Sequence, residues 1–189
     1  MGNGGYEMKL MIASDIHGSA FWCRKLLAVM EEEKPDKMVL LGDLLYHGPR
    51  NALPDEYAPQ VVAAMLNRVK NRLICVRGNC EAEVDQMMLE FPVLGECALI
   101  YAGKRTIYAT HGHQMFLNEI PNLLPGEVLL YGHTHVPQCE KKNGLWYVNP
   151  GSVSIPKGGS CHSCLIMEGD ELTWKNLENG AVRREMLTD

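Results

Sequence analysis

The run Met38-Val39-Leu40-Leu41 most narrows the folds open to this chain. Four consecutive apolar residues, entered through Pro35 and left through Gly42, predict a short strand that is buried on both faces. Asp43 stands at the carboxyl end of that strand. A buried carboxylate must be paired, solvated or bound to a metal, because a lone buried charge is too costly. Taken alone, Asp43 fits a helix cap or a turn equally well.

Four other strand-like runs end in the same way. Each is followed by side chains of the types that bind metals, namely Asp15 and His17, Asn79, His111, and the pair His133 and His135. The carboxyl ends of parallel strands meet at one edge of a sheet, where α/β proteins bind ligands. Any one of these residues is consistent with an ordinary loop position. Together they supply the nitrogen and oxygen ligands, and a bridging carboxylate, that a two-metal site needs.

Strands and helices alternate in the first half of the chain. We predict strands at residues 9–14, 38–41 and 72–77, and helices at 20–33, 60–70 and 83–91. This order implies a parallel sheet with right-handed crossovers. Short strands with hairpin-type turns follow, at 98–101, 105–110, 127–131, 145–149, 164–168 and 171–176. They predict a second, more antiparallel sheet packed on the first.

Composition limits the remaining classes of protein. With 189 residues, 46% of them hydrophobic, the chain suits a single domain at 8–189 after a flexible leader at 1–7. The net charge of -5 and the lack of a long Lys/Arg run disfavour nucleic acid as a partner. No apolar run approaches the ~20 residues of a membrane span and no signal peptide is apparent, so we expect a cytoplasmic protein without membrane association. The seven cysteines lie at apolar or motif positions, which predicts reduced thiols.

Five motifs, taken in order, resemble the calcineurin-like metallophosphoesterase superfamily: Asp15-x-His17, Gly42-Asp43, Gly78-Asn79-Cys80-Glu81, His111-Gly112 and Gly132-His133-x-His135. The resemblance spans nearly the whole chain. The segments 14–18, 47–54 and 149–156 resemble the small bacterial YfcE-type phosphodiesterases in particular. The resemblance implies an α/β (α+β) fold, a four-layer αββα sandwich of two mixed β-sheets flanked by helices.

The same resemblance implies two divalent metal ions, one held by Asp15, His17, Asp43 and His135, and the other by Asp43, Asn79, His111 and His133. It makes Asp43 the bridge between them. Catalytic roles are implied for Asn79, Cys80 and His111, and Cys80 fits a small apolar filler beside Asn79 equally well. Most of the superfamily has His where this chain has Cys80, although the YfcE-type members resemble it here.

By resemblance the metal is Mn²⁺, and Fe, Zn, Ni or Mg remain alternatives because the donors are carboxylate, carboxamide and imidazole. Two such cations polarise phosphoryl oxygens and lower the pKa of a shared water for in-line attack. We expect a small phosphodiester substrate. Hydrolysis of phosphomonoesters at the same site and a non-catalytic binding module of this fold remain open, as does assembly into a homo-oligomer. The filled ligand positions favour an enzyme, because a binding module is expected to lose ligands.

Several further polar residues give weaker indications. His47, Arg50 and Arg77 lie on loops next to the inferred site and either orient phosphate oxygens or are solvated loop residues. His113 follows a ligand closely and is either its partner or a plain loop imidazole. The pair Cys161-x-x-Cys164 lacks a second cysteine pair, so we expect it to be structural.

Overall fold

The structure is a computed structural model, and it describes residues 7–114 and 123–188. In chain order its elements are β1 (Lys9–Ala13), α1 (Ala20–Glu33), β2 (Lys37–Leu40), α2 (Pro59–Arg68), a 3₁₀ turn (Lys70–Arg72), β3 (Leu73–Cys75), α3 (Glu83–Met88), β4 (Cys97–Ala102), β5 (Arg105–Thr110), β6 (Val128–Leu130), β7 (Gln138–Lys142), β8 (Leu145–Asn149), β9 (Ser163–Glu168), β10 (Glu171–Asn176) and β11 (Val182–Met186). The predicted leader lies outside the described residues except for Glu7.

These strands form two mixed sheets. The first has the strand order β11-β10-β9-β1-β2-β3, and the second has the order β4-β5-β6-β8-β7. Strands β1, β2 and β3 are parallel, as the alternating pattern predicts. In the second sheet β5, β6 and β8 are parallel, with an antiparallel strand at each edge. The predicted sandwich of two mixed sheets is confirmed.

The central strands are apolar on both faces because each face is covered. Along β1, Leu10 and Ile12 join the core between the two sheets, whereas Met11 and Ala13 join the core beneath the helices. The core beneath the helices also contains buried residues of α1 and α2, among them Leu26, Met30 and Leu66. The strand predicted around Met38 is divided in the same way, which confirms its burial on both faces.

The prediction that all the later strands form the second sheet is wrong for β9 and β10. Strand β9 pairs antiparallel with β1, from Lys9 opposite Glu168 to Ile12 opposite Leu165, and β10 pairs with β9. Five of the six residues of β9 are buried, as expected for a strand in the middle of a sheet. A hairpin pattern defines the partner along the chain, but it does not define the sheet that the hairpin joins.

The apolar pattern does not predict β7 and β11. Both are edge strands with polar sequences, QCEKK and VRREM, and most of their residues are exposed or half-buried. Charged residues on an edge strand prevent pairing with other chains, and they also remove the alternation that reveals a strand. Two predicted helices are shorter than expected, since α2 ends at Arg68 and α3 ends at Met88. Among the described helices, none has the length and hydropathy needed to cross a membrane.

Candidate metal centre

The seven predicted ligands lie where strands of both sheets end. The first sheet contributes loops after β1, β2 and β3, and the second contributes loops after β5 and β6. Backbone hydrogen bonds join the neighbouring loops, since the Asp15 N–H donates to the Gly42 carbonyl at 3.1 Å and the His17 N–H to the Asp43 carbonyl at 2.9 Å. The ligand loops of the two sheets therefore converge on one site, formed by Asp15, His17, Asp43, Asn79, His111, His133 and His135.

The backbone of this site is strained. Eight non-glycine residues in the described ranges have positive φ, and five of them are predicted ligands: Asp15 (60°), His17 (48°), Asp43 (56°), His133 (62°) and His135 (61°). Residues other than glycine rarely adopt this backbone conformation, which costs of the order of 1 kcal/mol or more per residue. Such strain is retained where the surrounding structure holds residues for function.

Two motif glycines allow the ligand loops to touch. A Cβ atom on Gly78 would lie 2.1 Å from Oδ1 of Asp43 and 2.5 Å from its backbone nitrogen. A Cβ atom on Gly132 would lie 2.0 Å from Oγ of Ser14 and 3.1 Å from Oδ2 of Asp15. Any side chain at either position would push a ligand loop away from the carboxylates, so glycine is required by the packing.

Asp15, His17 and His135 form the first group of ligand atoms, which all lie within 4.8 Å of one another. Nδ1 of His17 is 2.8 Å from the Tyr46 carbonyl, and Nδ1 of His135 is 2.5 Å from the Ile155 carbonyl. A carbonyl only accepts, so each neutral ring carries its proton on Nδ1 and turns the Nε2 lone pair to the site. The two Nε2 atoms are 3.4 Å apart, and Oδ1 of Asp15, which has no hydrogen bond within the described residues, is 3.2 Å from Nε2 of His135.

The second group surrounds His111. Nδ1 of His111 is 2.6 Å from the Leu41 carbonyl, so the proton is again on Nδ1 and Nε2 is the acceptor. Nε2 is 3.1 Å from Oδ1 of Asn79 and 3.3 Å from Nδ1 of His133. This side chain is fully buried. A lone pair in this position faces an amide oxygen and a second imidazole, and that combination suits a cation.

Asp43 lies between the two groups. Its Oδ2 atom is 3.8 Å from Nε2 of His17 and 3.6 Å from Nε2 of His111. Oδ1 accepts a hydrogen bond from the Cys80 backbone N–H at 2.9 Å. The residue is 2% exposed. One carboxylate oxygen thus faces the ligand atoms of both groups, while the other orients the carboxylate. Asp15 also lies within 4.8 Å of Asp43 and His111, so the two groups are contiguous.

Glu81 is a buried residue of the Gly78-Asn79-Cys80-Glu81 motif, and its position in the sequence did not indicate a role. Its Oε2 atom accepts hydrogen bonds from the backbone N–H groups of Asp43 (2.8 Å) and Gly78 (2.5 Å), and Oε1 accepts one from Leu44 (2.7 Å). Burial and the nearby Asp43 carboxylate raise the pKa of Glu81, against the lowering effect of these three donors. Glu81 therefore fixes the turn that presents Asp43, although it does not face the cavity.

The charges of the site act on its titratable groups. Burial acts to raise the pKa of Asp15, but the imidazoles of His135 and His17 outweigh it and hold that pKa well below its usual range. Burial acts to lower the pKa of His17, and the adjacent Asp15 carboxylate raises it above the usual value. The pKa of His133 is lowered, chiefly by burial and then by His111. The ionised Asp15 carboxylate among imidazoles favours the binding of cations.

Cys80 lies beside the ligands. Its Sγ is within 4.8 Å of ligand atoms of His17 and Asp43, and Nδ2 of Asn79 is 3.3 Å from Sγ. Burial, followed by the charge of Asp43, raises the pKa of this thiol. All seven cysteines are free, and Cys164 is buried in the core beneath the helices. Their reduced state stays a prediction.

A polar cavity of about 340 Å³ opens over the ligands. Arg50 lines it, and so does Lys157, which the sequence did not indicate because it lies far from the metal motifs. Arg77 instead donates to the Glu81 carbonyl at 3.3 Å and lies 3.5 Å from a carboxylate oxygen of Glu96. Arg77 therefore stabilises the turn that contains Glu81.

His47 and His113, the two histidines among the weaker candidates, border the site. His47 packs edge-on against Tyr46 and Tyr57, with ring centroids 4.8 and 5.2 Å away. The His113 ring lies 5.4 Å from that of His111. Neither is among the residues that line the cavity. Arg50 is thus the single residue of these four weaker candidates that reaches it.

Comparisons with known proteins identify the family of this chain. A family model described as the calcineurin-like phosphoesterase superfamily domain matches residues 8–171. The phosphodiesterase YfcE of Escherichia coli is 46% identical over 166 residues, which cover 88% of this chain and 90% of that protein. The probable metallophosphoesterase YsnB of Bacillus subtilis is 28% identical over 175 residues, covering 88% of each chain.

Solved structures show the same fold. The structure of the E. coli phosphoesterase YfcE superposes with a TM-score of 0.91 at 42% identity, over 96% of this chain and all of that one. Vacuolar Protein Sorting 29 of Cryptosporidium parvum superposes with a TM-score of 0.63 at 18% identity, over 96% of this chain and 97% of that one. The second likeness concerns the fold alone.

Proposed function

This chain belongs to the calcineurin-like phosphoesterase superfamily, and we propose that it is a two-metal phosphodiesterase. The observation that carries the proposal is the set of facing lone pairs at the strand ends. Three buried imidazoles are fixed by backbone carbonyls so that Nε2 turns inward, and those atoms face one another and two carboxylates. Acceptors packed in this way repel each other unless cations lie between them.

The donor atoms fit two divalent ions. We assign Asp15, His17, Asp43 and His135 to one ion, and Asp43, Asn79, His111 and His133 to the other. Bound there, the two ions would polarise the phosphoryl oxygens and lower the pKa of a water, which supplies the nucleophile. Asp43 supports this assignment because its Oδ2 atom faces both groups of ligands. Mn²⁺ is the metal we propose, since it accepts this mixture of carboxylate, carboxamide and imidazole donors.

The residues around the ligands orient the substrate. Arg50 and Lys157 line the cavity and place positive charge where a phosphodiester anion would lie. Asn79 and Cys80 line the cavity, and we assign them contact with the reacting phosphoryl group. His111 is fully buried, so we assign it a catalytic role through the metal that it would hold. The transition state carries more negative charge on its oxygens than the substrate, so cationic side chains held at this rim favour it.

Diesters are the substrate class we propose, because YfcE, the 46%-identical relative, carries the name phosphodiesterase. A phosphoryl group with two ester substituents requires more room than a monoester, and the cavity has a volume of about 340 Å³. A cytoplasmic location and any assembly into a homo-oligomer remain predictions.

The test is metal-dependent hydrolysis of a matched substrate pair. Protein stripped with a chelator and reloaded with Mn²⁺ should hydrolyse bis(p-nitrophenyl) phosphate faster than p-nitrophenyl phosphate, and elemental analysis should find two ions per chain. Parallel reloading with Zn²⁺, Fe²⁺, Ni²⁺ and Mg²⁺ tests the choice of metal. A preference for the monoester would make the protein a phosphatase on the same site. Binding of two ions without any turnover would instead indicate a binding module.

A further inference from the structure

A second depression lies beside the metal centre. It is a groove of about 390 Å³ lined mainly by apolar side chains, among them Leu45, Tyr46, Tyr57, Val84 and Met88. Leu45 and Tyr46 lie in the loop after β2, and Val84 and Met88 belong to α3. The size is in the range of small-molecule sites, which are commonly apolar with a few polar groups.

Several of the apolar side chains that line the groove are exposed to solvent and are not packed in the core. Val84 is 61% exposed, Met88 is 42% exposed and Tyr46 is 42% exposed. Val84 and Met88 are four residues apart, so they lie on the same face of α3. No residue of α3 is buried, and the helix therefore contributes little to the core. Contiguous exposed apolar surface of this kind commonly marks a binding site.

The groove and the catalytic cavity share a wall. Cys80 lines both of them, and its Sγ lies within 4.8 Å of ligand atoms of His17 and Asp43. A substituent on a phosphorus atom held over the ligands would have to pass Cys80 to reach the groove. The groove is close enough to the metal centre to act on the same molecule.

Charge separates the two depressions. The cavity contains Arg50 and Lys157, whereas no Lys or Arg is found among the described residues that line the groove. The groove's charged residue is Asp85, whose Oδ2 accepts a hydrogen bond from the Ala82 N–H at 2.8 Å. An anionic group is favoured in the cavity and disfavoured in the groove. Two tyrosine rings in the lining suit an aromatic group, which can pack against them edge to face.

We propose that the groove is a substrate subsite that takes one uncharged ester group, aromatic or otherwise apolar, while the phosphoryl anion lies over the metal ligands. This inference rests on the proposed function. It defines the substrate class as a phosphodiester with at least one apolar substituent, and it excludes substituents that place a further phosphate in the groove.

Phosphonates with a single substituent test the subsite without turnover. Titration calorimetry of the Mn²⁺-loaded protein should give phenylphosphonate a dissociation constant about tenfold below that of methylphosphonate, equivalent to ~1.4 kcal/mol. The ratio of the two dissociation constants should fall to about twofold or less in Met88→Gln. It should fall likewise in Val84→Thr, because both changes make the lining polar. The matched control is Met87→Gln, which alters an 86%-exposed methionine of α3 that does not line the groove. It should keep the tenfold ratio.

Each outcome separates the two proposals. Equal affinity for both phosphonates in the unaltered protein overturns the subsite and leaves the two-metal phosphodiesterase intact. A ratio that falls equally in Met87→Gln and Met88→Gln also overturns it, because the effect would then reflect general surface polarity. Metal-independent binding of methylphosphonate, together with no Mn²⁺-dependent hydrolysis of bis(p-nitrophenyl) phosphate, overturns the proposed function and the subsite with it.

Discussion

At the scale of single residues, we propose Asp43 as the ligand that both metal ions share. We expect Asp43→Asn to reduce the metal content below two ions per chain, because the amide lacks the charge that faces both groups. Turnover of a diester should fall more than ~100-fold, since even the partners of metal ligands contribute 10–100-fold.

Elemental analysis and turnover at saturating Mn²⁺ check this expectation. The control is Asp36→Asn, the same change at the other end of these strands, where Oδ2 of Asp36 accepts the Lys9 N–H at 2.8 Å. An Asp43→Asn protein that retains two ions and normal turnover would exclude the bridging role.

Glu81 is a positioning residue rather than a ligand. In Glu81→Gln the side chain has a single acceptor oxygen, and its NH₂ group must face at least one of the three backbone N–H donors. We expect the free energy of unfolding to decrease by about 1–3 kcal/mol. Metal affinity should weaken by about 10–100-fold, because the turn that presents Asp43 is no longer held.

Urea unfolding and metal titration of the stripped protein measure the two effects of Glu81→Gln separately. Glu83→Gln, at an exposed position two residues away, is the matched control and should change neither quantity. A loss of stability with unchanged metal affinity would show that Glu81 supports only the fold.

At the scale of elements, the site depends on how closely the loops after β2 and β3 approach. We expect Gly78→Ala to weaken metal binding about tenfold or more, because its Cβ would lie 2.1 Å from Oδ1 of Asp43 and only a shift of the loop can relieve the contact. The matched control is Gly95→Ala, where the nearest atom to the new Cβ would be the Cys97 carbonyl oxygen at 3.9 Å. Isothermal metal titration of both variants should show the loss in Gly78→Ala alone, and an equal loss in the two would refute the packing argument.

At the scale of the whole molecule, a buried arginine connects the two sheets. Arg105 of β5 donates to Asp170 in the β9–β10 turn at 2.7 Å and to the Leu187 carbonyl, beyond β11, at 3.1 Å. Partial burial acts to raise the pKa of Asp170, but hydrogen bonds from Arg105 and Lys104 outweigh it and lower that pKa below its usual value. The ionised carboxylate therefore stabilises the packed sheets.

Asp170→Asn should lower the free energy of unfolding by about 1–2 kcal/mol at pH 7. The folded pKa of Asp170 is depressed, so its contribution is complete above the unfolded value near ~3.9 and is lost as the pH falls through the folded value. The difference between the two proteins should thus shrink below about pH 4. Urea unfolding from pH 7 to pH 3 tests this, with the exposed Glu178→Gln as control. A difference that does not vary with pH would assign the effect to packing.

The ligand residues could be predicted because their signal is local. An apolar run that ends in glycine and a polar side chain, as at Leu41-Gly42-Asp43, places that side chain at the end of a buried strand wherever the strand lies in the sheet. Parallel strands bring such ends to one edge, and the chain order of the runs already implied this for β1, β2 and β3. Hence the sequence by itself determined which side chains are available at the site.

Tertiary structure alone decided how those side chains are held and what lies around them. The β9–β10 hairpin joins the first sheet through β9, which pairs with β1 and is buried over five of its six residues, and hairpin periodicity does not encode that choice. The carbonyls of Tyr46 and Leu41 that orient the imidazoles lie far along the chain from the histidines they contact. The same is true of two of the three donors to Glu81, Asp43 and Leu44, and the groove beside Cys80 also combines distant segments. Their contacts depend on how the two sheets pack, and no local spacing of residues records that packing.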